Sequence, residues 1–235
     1  MERWVTEVGP IVASGRDGDI FEFGPGRVLR RTKTGRVIEH EFQIMRYLHE
    51  QGYPVPEVFE VRDGGKELVM ERIEGPIMMD AIVKAPWTLP KYSKLLADLV
   101  ERLSAIPAPD WLTQMEPGNT FLHIDMHPLN VIMSPSGPVV VDWTNACAGN
   151  ALTDPAFTYV LLTCPDAPVP RVVQWCLQPL RIAMARLFAR RWWGPDYFAA
   201  VAACAVTKSN DRAMSPSEAA KCLRLAAKMR KKAKR

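Results

Sequence analysis

The residues best suited to chemistry lie in one short stretch, His123-Ile124-Asp125-Met126-His127-Pro128-Leu129-Asn130, with Asp142 twelve positions further on at the end of a valine run. An aspartate beside a bound hydroxyl can orient it and accept its proton. A neutral amide five residues on and a carboxylate from a following strand are hard oxygen donors of the kind magnesium takes when it also holds phosphates. Asp125, Asn130 and Asp142 form such a set, and the chemistry they suit is metal-assisted phosphoryl transfer to an alcohol. The plainer explanation is that Asp and Asn merely cap turns. Spacing, order and the flanking apolar runs Phe121-Leu122 and Val139-Val140-Val141 weigh against it, since each run leads straight into acidic chemistry. His123 reads as a buried scaffold residue. His127, before a proline, stays open between a phosphate contact and a structural role.

Phosphoryl transfer also needs a platform for the donor, and the N-terminal part of the chain has the pattern of one. Ile20-Phe21-Glu22-Phe23 and Arg27-Val28-Leu29-Arg30-Arg31 alternate around Gly24-Pro25-Gly26, which predicts a hairpin. Val8 to Ala13 predicts a strand entering the turn Ser14-Gly15-Arg16-Asp17-Gly18-Asp19. From Arg36 to Gln51 the residues Ile38, Phe42, Met45 and Leu48 or His49 fall at helical spacing, and Gly52 followed by Pro54 and Pro56 ends the helix. Val58–Arg62 and Glu67–Glu71 read as a second hairpin. On the 27–31 strand Val28 and Arg30 share a face, an apolar shelf for a purine beside a cation for phosphates. Glu41 lies inside the apolar stripe of the helix, so its carboxylate needs a partner. Arg30 is the partner the pattern favours, or Arg31 if the register shifts by one.

Downstream the chain turns helical. Lys91 to Ala105 places Leu95, Leu96, Leu99, Val100 and Leu103 on one face, and helices are expected from Thr153 onward, separated near Pro165–Pro170, Gly194-Pro195 and Ser215-Pro216. The 235 residues, 48% hydrophobic and 24% charged, suffice for one large domain or two lobes and exclude disorder and collagen. Five cysteines without a CxxC pair suggest neither a disulfide framework nor a zinc cluster, and Cys147 reads as a small filler. Trp175, Trp192 and Trp193 read as packing residues. No apolar leader opens the sequence and no run approaches the ~18 residues of a membrane span, so a soluble, cytoplasmic protein is expected. The net charge of +4 is too small to imply nucleic-acid binding by itself, but it is unevenly spread: residues 1–154 carry −7 and 155–235 carry +11.

His123-x-Asp125 with Asn130, then Asp142-Trp143, then Gly149 and Asp154-Pro155-Ala156, resembles the aminoglycoside phosphotransferase family, whose relatives include choline, homoserine, macrolide and fructosamine kinases. The resemblance runs from about Ser14 to Asp154. It implies an α+β, two-lobed protein-kinase-like fold, with a small antiparallel-sheet N-lobe carrying one helix and a larger, mostly helical C-lobe. The lobes are expected at 1–72 and 73–235, with a basic tail at 228–235, and ATP or GTP with Mg2+ is expected between them. The resemblance makes Asp125 the catalytic aspartate and Asn130 and Asp142 the metal ligands. His123 and Asp154, with His127, become supports of the catalytic loop. Arg30 and Glu41 become the kinase-like cation–glutamate pair, with arginine in place of the usual lysine. Ser14, Gly15 and Gly18 lie over the phosphates by the same likeness, and backbone groups of Met70, Glu71 and Arg72 read the base edge. Three positions depart from the family pattern: Ile124 and Leu129 where glycine is usual, and Thr144 where an acid often follows.

The function expected is transfer of a γ-phosphoryl group to a hydroxyl of a small molecule. Residues 155–227 hold nine basic and four acidic side chains, which favours a neutral or anionic acceptor over a polycationic aminoglycoside. The alternative is a nucleotide-binding regulatory module, pseudokinase-like, with little transfer activity. The basic end reads first as a disordered, solvated tail and only second as a nucleic-acid contact.

Overall fold

The structure, a computed structural model, describes residues 8–15, 18–33, 37–164 and 171–235, and only the backbone of 171–176. Arg16 and Asp17 of the first turn, the Trp175 side chain and the Pro165–Pro170 separator lie outside the described residues. In chain order the elements are β1 (Ile11–Ser14), β2 (Gly18–Glu22), β3 (Arg27–Thr32), α1 (Glu39–Glu50), β4 (Val58–Arg62), β5 (Glu67–Glu71), α2 (Met78–Lys84), α3 (Leu89–Ser104) and β6 (Thr120–Leu122). There follow β7 (Val131–Ser134), β8 (Gly137–Val140), β9 (Cys147–Gly149), α4 (Thr153–Thr163), α5 (Arg171–Ala189), α6 (Pro195–Ser209) and α7 (Pro216–Ala233). No helix among the described residues is long and apolar enough to cross a membrane.

The chain forms two compact units, Met1–Ile77 with Val131–Thr144, and Met78–Asn130 with Asn145–Arg235. The first holds a five-stranded antiparallel sheet in the order β1-β2-β3-β5-β4. Its alternation splits the side chains into two faces. Phe23, Leu29 and Val69 make a small apolar cluster with Phe21 and Phe59 on one face. Val28, Arg30, Leu68 and Met70 share the other through the pairings Val28↔Met70 and Arg30↔Leu68. Helix α1 buries Glu41, Ile44, Met45 and Leu48.

The expected single break after Arg72 differs from this division because the β7–β8 hairpin returns to the first unit. The Met133 and Val140 amides donate to the carbonyls of Pro76 and Pro54, each at 2.8 Å. Trp143, fully buried, stands edge-on to Tyr53 at 5.6 Å. Gly75 passes so close that an added Cβ would sit 2.2 Å from the Met133 carbonyl oxygen, at a φ of +142° that disfavours side chains anyway.

The second unit is helical around the two-stranded β6–β9 ladder. Residues Thr153–Val160 of α4 are all buried, and α3 buries Leu96, Leu99, Val100 and Leu103. The basic end is not a disordered tail: it is the last part of α7, helical as far as Ala233. Ser215 and Glu218 close a capping box around Pro216, and Cys222, Ala226 and Met229 are buried at helical spacing, which is what gives this charged segment its order. Trp193 packs as expected, edge-on to Phe198 at 5.0 Å and against Tyr159 at 6.1 Å, while keeping 42% exposure.

Candidate active site

In the first unit, β3 and α1 bring Arg30 and Glu41 together. An Arg30 guanidinium N–H (Nη1) donates to Glu41 Oε1, and both side chains are largely out of solvent, at 17% and 9% exposure. A third residue closes the pair. Thr144 Oγ1 donates to Glu41 Oε2 at 3.3 Å and lies 3.5 Å from Arg30 Nη2. Arg31 points to the opposite face and pairs with Glu67 at 2.7 Å, so it does not compete for Glu41. Val28 is buried next to Arg30 on the same face.

The turn after β1 is satisfied from within. The Gly15 amide donates to the Gly18 carbonyl at 2.9 Å, and Lys33 Nζ reaches Ser14 Oγ at 2.8 Å, the Gly15 carbonyl at 3.1 Å and Asp19 Oδ1 at 2.7 Å. The Lys33 and Ser14 hydrogen bonds hold the Asp19 carboxyl below its ordinary pKa. Asp19 pairs across the ladder with Arg31, so it lies on the face away from Arg30. Gly18 is needed for close approach, since a Cβ there would lie 2.6 Å from the Arg31 carbonyl oxygen. At the end of β5 the Glu71 amide is bound to the Glu57 carbonyl at 2.8 Å and the Arg72 amide to the Gly26 carbonyl at 2.9 Å. Of the backbone groups expected to read a base edge, those two N–H donors are already used. Met70 sits opposite Val28 in the ladder.

In the second unit, β6 delivers the chain into the motif. His123 is fully buried, and its Nδ1 accepts the Asp125 amide at 3.2 Å, which puts the ring proton on Nε2. Asp154, also fully buried at the start of α4, accepts the His123 amide on Oδ2 at 3.1 Å and the Ile124 amide on Oδ1 at 2.7 Å. Burial raises the Asp154 pKa, against the lowering effect of His123 and the two amides. Those two hydrogen bonds hold Ile124 at a φ of +66°, a left-handed conformation that glycine takes readily and a β-branched residue does not. The expected glycine is thus replaced without loss of the backbone turn.

Asp125 is oriented from two sides. Asn130 Nδ2 donates to the Asp125 carbonyl at 2.9 Å and lies 3.4 Å from its Oδ2, while His127 Nε2 is 3.6 Å from Oδ1. His127 Nδ1 accepts the Leu129 amide at 3.3 Å, so Nε2 carries the proton that faces Asp125. Because Asn130 spends its N–H on Asp125, its side-chain oxygen is the end left for a cation. In the first unit Asp142 follows β8, half-buried, at a φ of +65°. No group of three or more His, Cys, Asp or Glu among the described residues makes a metal cage. The Asn130 amide oxygen and the Asp142 carboxylate are each hard donors of the kind magnesium takes.

The model of the phosphotransferase enzyme family matches residues 79–187. That span takes in Asp125, Asn130, Asp142 and Asp154 but not Arg30 or Glu41. No curated protein sequence matches the chain. Solved structures resemble it over nearly its whole length. Aminoglycoside phosphotransferase APH(2'')-Ib bound to ADP has a TM-score of 0.61 at 14% identity, over 96% of this chain and 95% of that one. A thermostable mutant of aminoglycoside phosphotransferase APH(4)-Ia with AMP-PNP and hygromycin B gives 0.62 at 15%, over 98% and 92%. A choline/ethanolamine kinase family protein from Mesorhizobium loti gives 0.59 at 14%, over 98% and 88%. The resemblance read from the motif therefore agrees with the family match, and the fold is the kinase-like α+β fold of these enzymes. Family match and fold together support a phosphotransferase.

Three contributors went unforeseen. Thr144 joins Arg30 and Glu41 from more than a hundred residues away, a distance no local pattern reveals. Lys33, just beyond the β3 alternation, clamps the first turn. Glu116 accepts the Thr153 hydroxyl and, at 3.3 Å, the Asn150 amide, bracing the turn that leads to Asp154. An acid three residues before Asn119 in a loop carries no sequence signal for such a role.

Proposed function

We propose that the protein is a small-molecule kinase that moves the γ-phosphoryl group of ATP or GTP to an alcohol with Mg2+. The observation that carries this reading is the state of Asp125, a carboxylate held by Asn130 and faced by the His127 Nε2 proton, on a backbone pinned by Asp154. In this reading Asp125 orients the acceptor hydroxyl and takes its proton, with little covalent help needed in a loose transition state. Asn130 and Asp142 hold Mg2+, which when bound neutralises charge on the phosphates. Val28 and Met70 flank the purine. Glu71 offers its carbonyl and Ile73 its N–H to the base edge, the Glu71 and Arg72 amides being committed elsewhere. Arg30, fixed by Glu41 and Thr144, contacts phosphate oxygens, a role for which a planar fork of donors is suited.

The neighbours' names include aminoglycosides and a choline/ethanolamine kinase family. For this chain the excess of basic side chains in 155–227 supports a neutral or anionic acceptor. The family match does not favour the regulatory-module alternative. A panel of small alcohols in an ADP-release assay tests the reading, with ATP or GTP and with or without Mg2+. Asp125→Asn is expected to lower acceptor-dependent turnover by roughly 10²–10⁴-fold while leaving the nucleotide thermal shift in place. Nucleotide binding without any Asp125-dependent turnover across the panel would count for the regulatory module instead. Robust kanamycin resistance in a sensitive host would overturn the acceptor class.

A further inference from the structure

The outer face of α7 bears a row of cations with a regular spacing. Arg224, Lys228 and Lys231 of α7 recur at intervals of four and three residues, so they fall within one narrow arc, and Arg235 follows just past the helix end. With Ala227 and Lys232 they line a shallow surface depression of about 460 Å³. None of the four has a carboxylate partner among the described residues. Glu218, the one acid of α7, is turned to the helix start, where it accepts from the Ser215 amide and hydroxyl. At the flank of the row, Lys232 Nζ lies over the Trp193 ring, 4.8 Å from its centroid; Trp193 packs edge-on against Phe198 at 5.0 Å and keeps 42% residue exposure, the part left for a base.

We infer that the cation row of α7, together with Trp193, is a binding surface for single-stranded nucleic acid, with phosphates along the row and a base against the indole. A charged track beside an exposed aromatic is the combination that binds single strands without reading sequence. A membrane is the poorer partner, because an interfacial helix must bury its own apolar face in lipid. The apolar face of α7, Cys222, Ala226 and Met229, is already buried in the protein. The surface is independent of the phosphoryl-transfer site and uses none of its residues.

Anisotropy of fluorescein-labelled U12 and dT12 with the full chain, titrated from 50 to 300 mM KCl, tests this. The Kd is expected between about 1 and 100 μM near physiological salt, with log K falling at a slope of roughly −2.8 against log salt for four phosphate contacts. Lys228→Gln with Lys231→Gln should reduce that slope by about half. Trp193→Ala should weaken binding about tenfold and leave the slope alone. Arg224→Gln with Arg235→Gln is a second pair, for use if the first lowers the melting temperature. Preference between U12 and dT12 tells RNA from DNA. The inference fails if neither oligonucleotide binds at 50 mM KCl, or if neither cation pair changes the slope. It fails also if Trp193→Ala has no effect, which would make the face a generic polyanion surface. Binding to vesicles with 30% phosphatidylserine but not to oligonucleotides would overturn it in favour of a membrane.

Discussion

Glu41→Gln tests the arrangement on which the donor side of the site depends. The Glu41 side chain is 9% exposed and carries two contacts, a charged hydrogen bond from Arg30 and a longer one of 3.3 Å from the Thr144 hydroxyl. Breaking a fully buried ion pair by removing one partner costs about 3–5 kcal/mol, and a single hydrogen bond to a charged group contributes about 1.5–3 kcal/mol. Arg30 keeps 17% side-chain exposure and so retains some hydration, which puts the expected loss near the lower range, about 2 kcal/mol. At roughly 2–4 °C per kcal/mol for a chain of this size, Tm should fall by about 4–8 °C. Thr144→Val removes only the two longer contacts and should cost about 0.5–1 kcal/mol. The decisive measurement is a thermal-melt double-mutant cycle with Arg30→Met. If Arg30 and Glu41 act as one unit, the double variant should be about 1–2 kcal/mol more stable than the summed single losses. Additive losses, or a Glu41→Gln protein that melts within 1 °C of wild type by this order-of-magnitude reasoning, would show that the pair is incidental and remove Arg30 from the site.

Three further outcomes follow from the second unit. Asp154→Asn leaves one oxygen for two buried amide donors, so a loss of about 1–3 kcal/mol is expected by thermal melt. Because burial raises the folded pKa of Asp154, its contribution is full below the unfolded value near 4 and fades as pH rises through the folded value, so the gap between wild type and Asp154→Asn should narrow with rising pH; a widening gap would contradict this. Ile124→Gly should be no less stable than wild type within about 1 kcal/mol although it deletes a half-buried side chain, since relief of left-handed strain offsets the entropy of glycine; a Tm drop of more than ~5 °C would mean that side-chain packing dominates. Burial pushes the Cys147 and Cys204 thiols up to about 12, so iodoacetamide at pH 8.5 should leave both unmodified in the native protein, as read by peptide mapping, and ready labelling would refute their burial.

The parts of the fold legible in the sequence are those whose signal is local. The alternation in Val58–Arg62 and Glu67–Glu71 gave β4 and β5 their observed bounds, because each strand has one apolar face and a turn-forming Asp63-Gly64-Gly65 between them. The proline and glycine separators likewise marked the starts of α6 and α7. Helix α1 begins at Glu39, later than the periodicity from Arg36 suggested, with the Ile38 amide drawn to the Gly65 carbonyl at 2.8 Å. Strand β9, Cys147-Ala148-Gly149, has no strand-forming composition and exists through its pairing with β6, some 25 residues earlier. Helix α2, only seven residues between Pro76 and Pro86, offered too short a stretch for any period to show. The division of the chain was obscured for the same reason, since the hydrogen bonds that bind β7–β8 to the first unit join residues far apart in sequence.

The site divides along the same line between local and remote determinants. Asp125, Asn130 and their mutual orientation sit within six residues, and the motif displays them directly. What the motif obscures is whether a chain with isoleucine at 124 can hold the loop that a glycine would allow. The answer lies thirty residues away, in Asp154. A β-branched residue in the left-handed region costs about 1–2 kcal/mol. Leaving a buried amide without an acceptor costs about 1–3 kcal/mol, and Asp154 satisfies two of them by hydrogen bonds, those of His123 and Ile124. Two such bonds outweigh one strained residue, so the carboxylate sets the backbone and the side chain at 124 yields to it. The departure from the family pattern therefore falls where a remote acceptor can absorb it, and Asp125 keeps the backbone geometry that its proposed role requires.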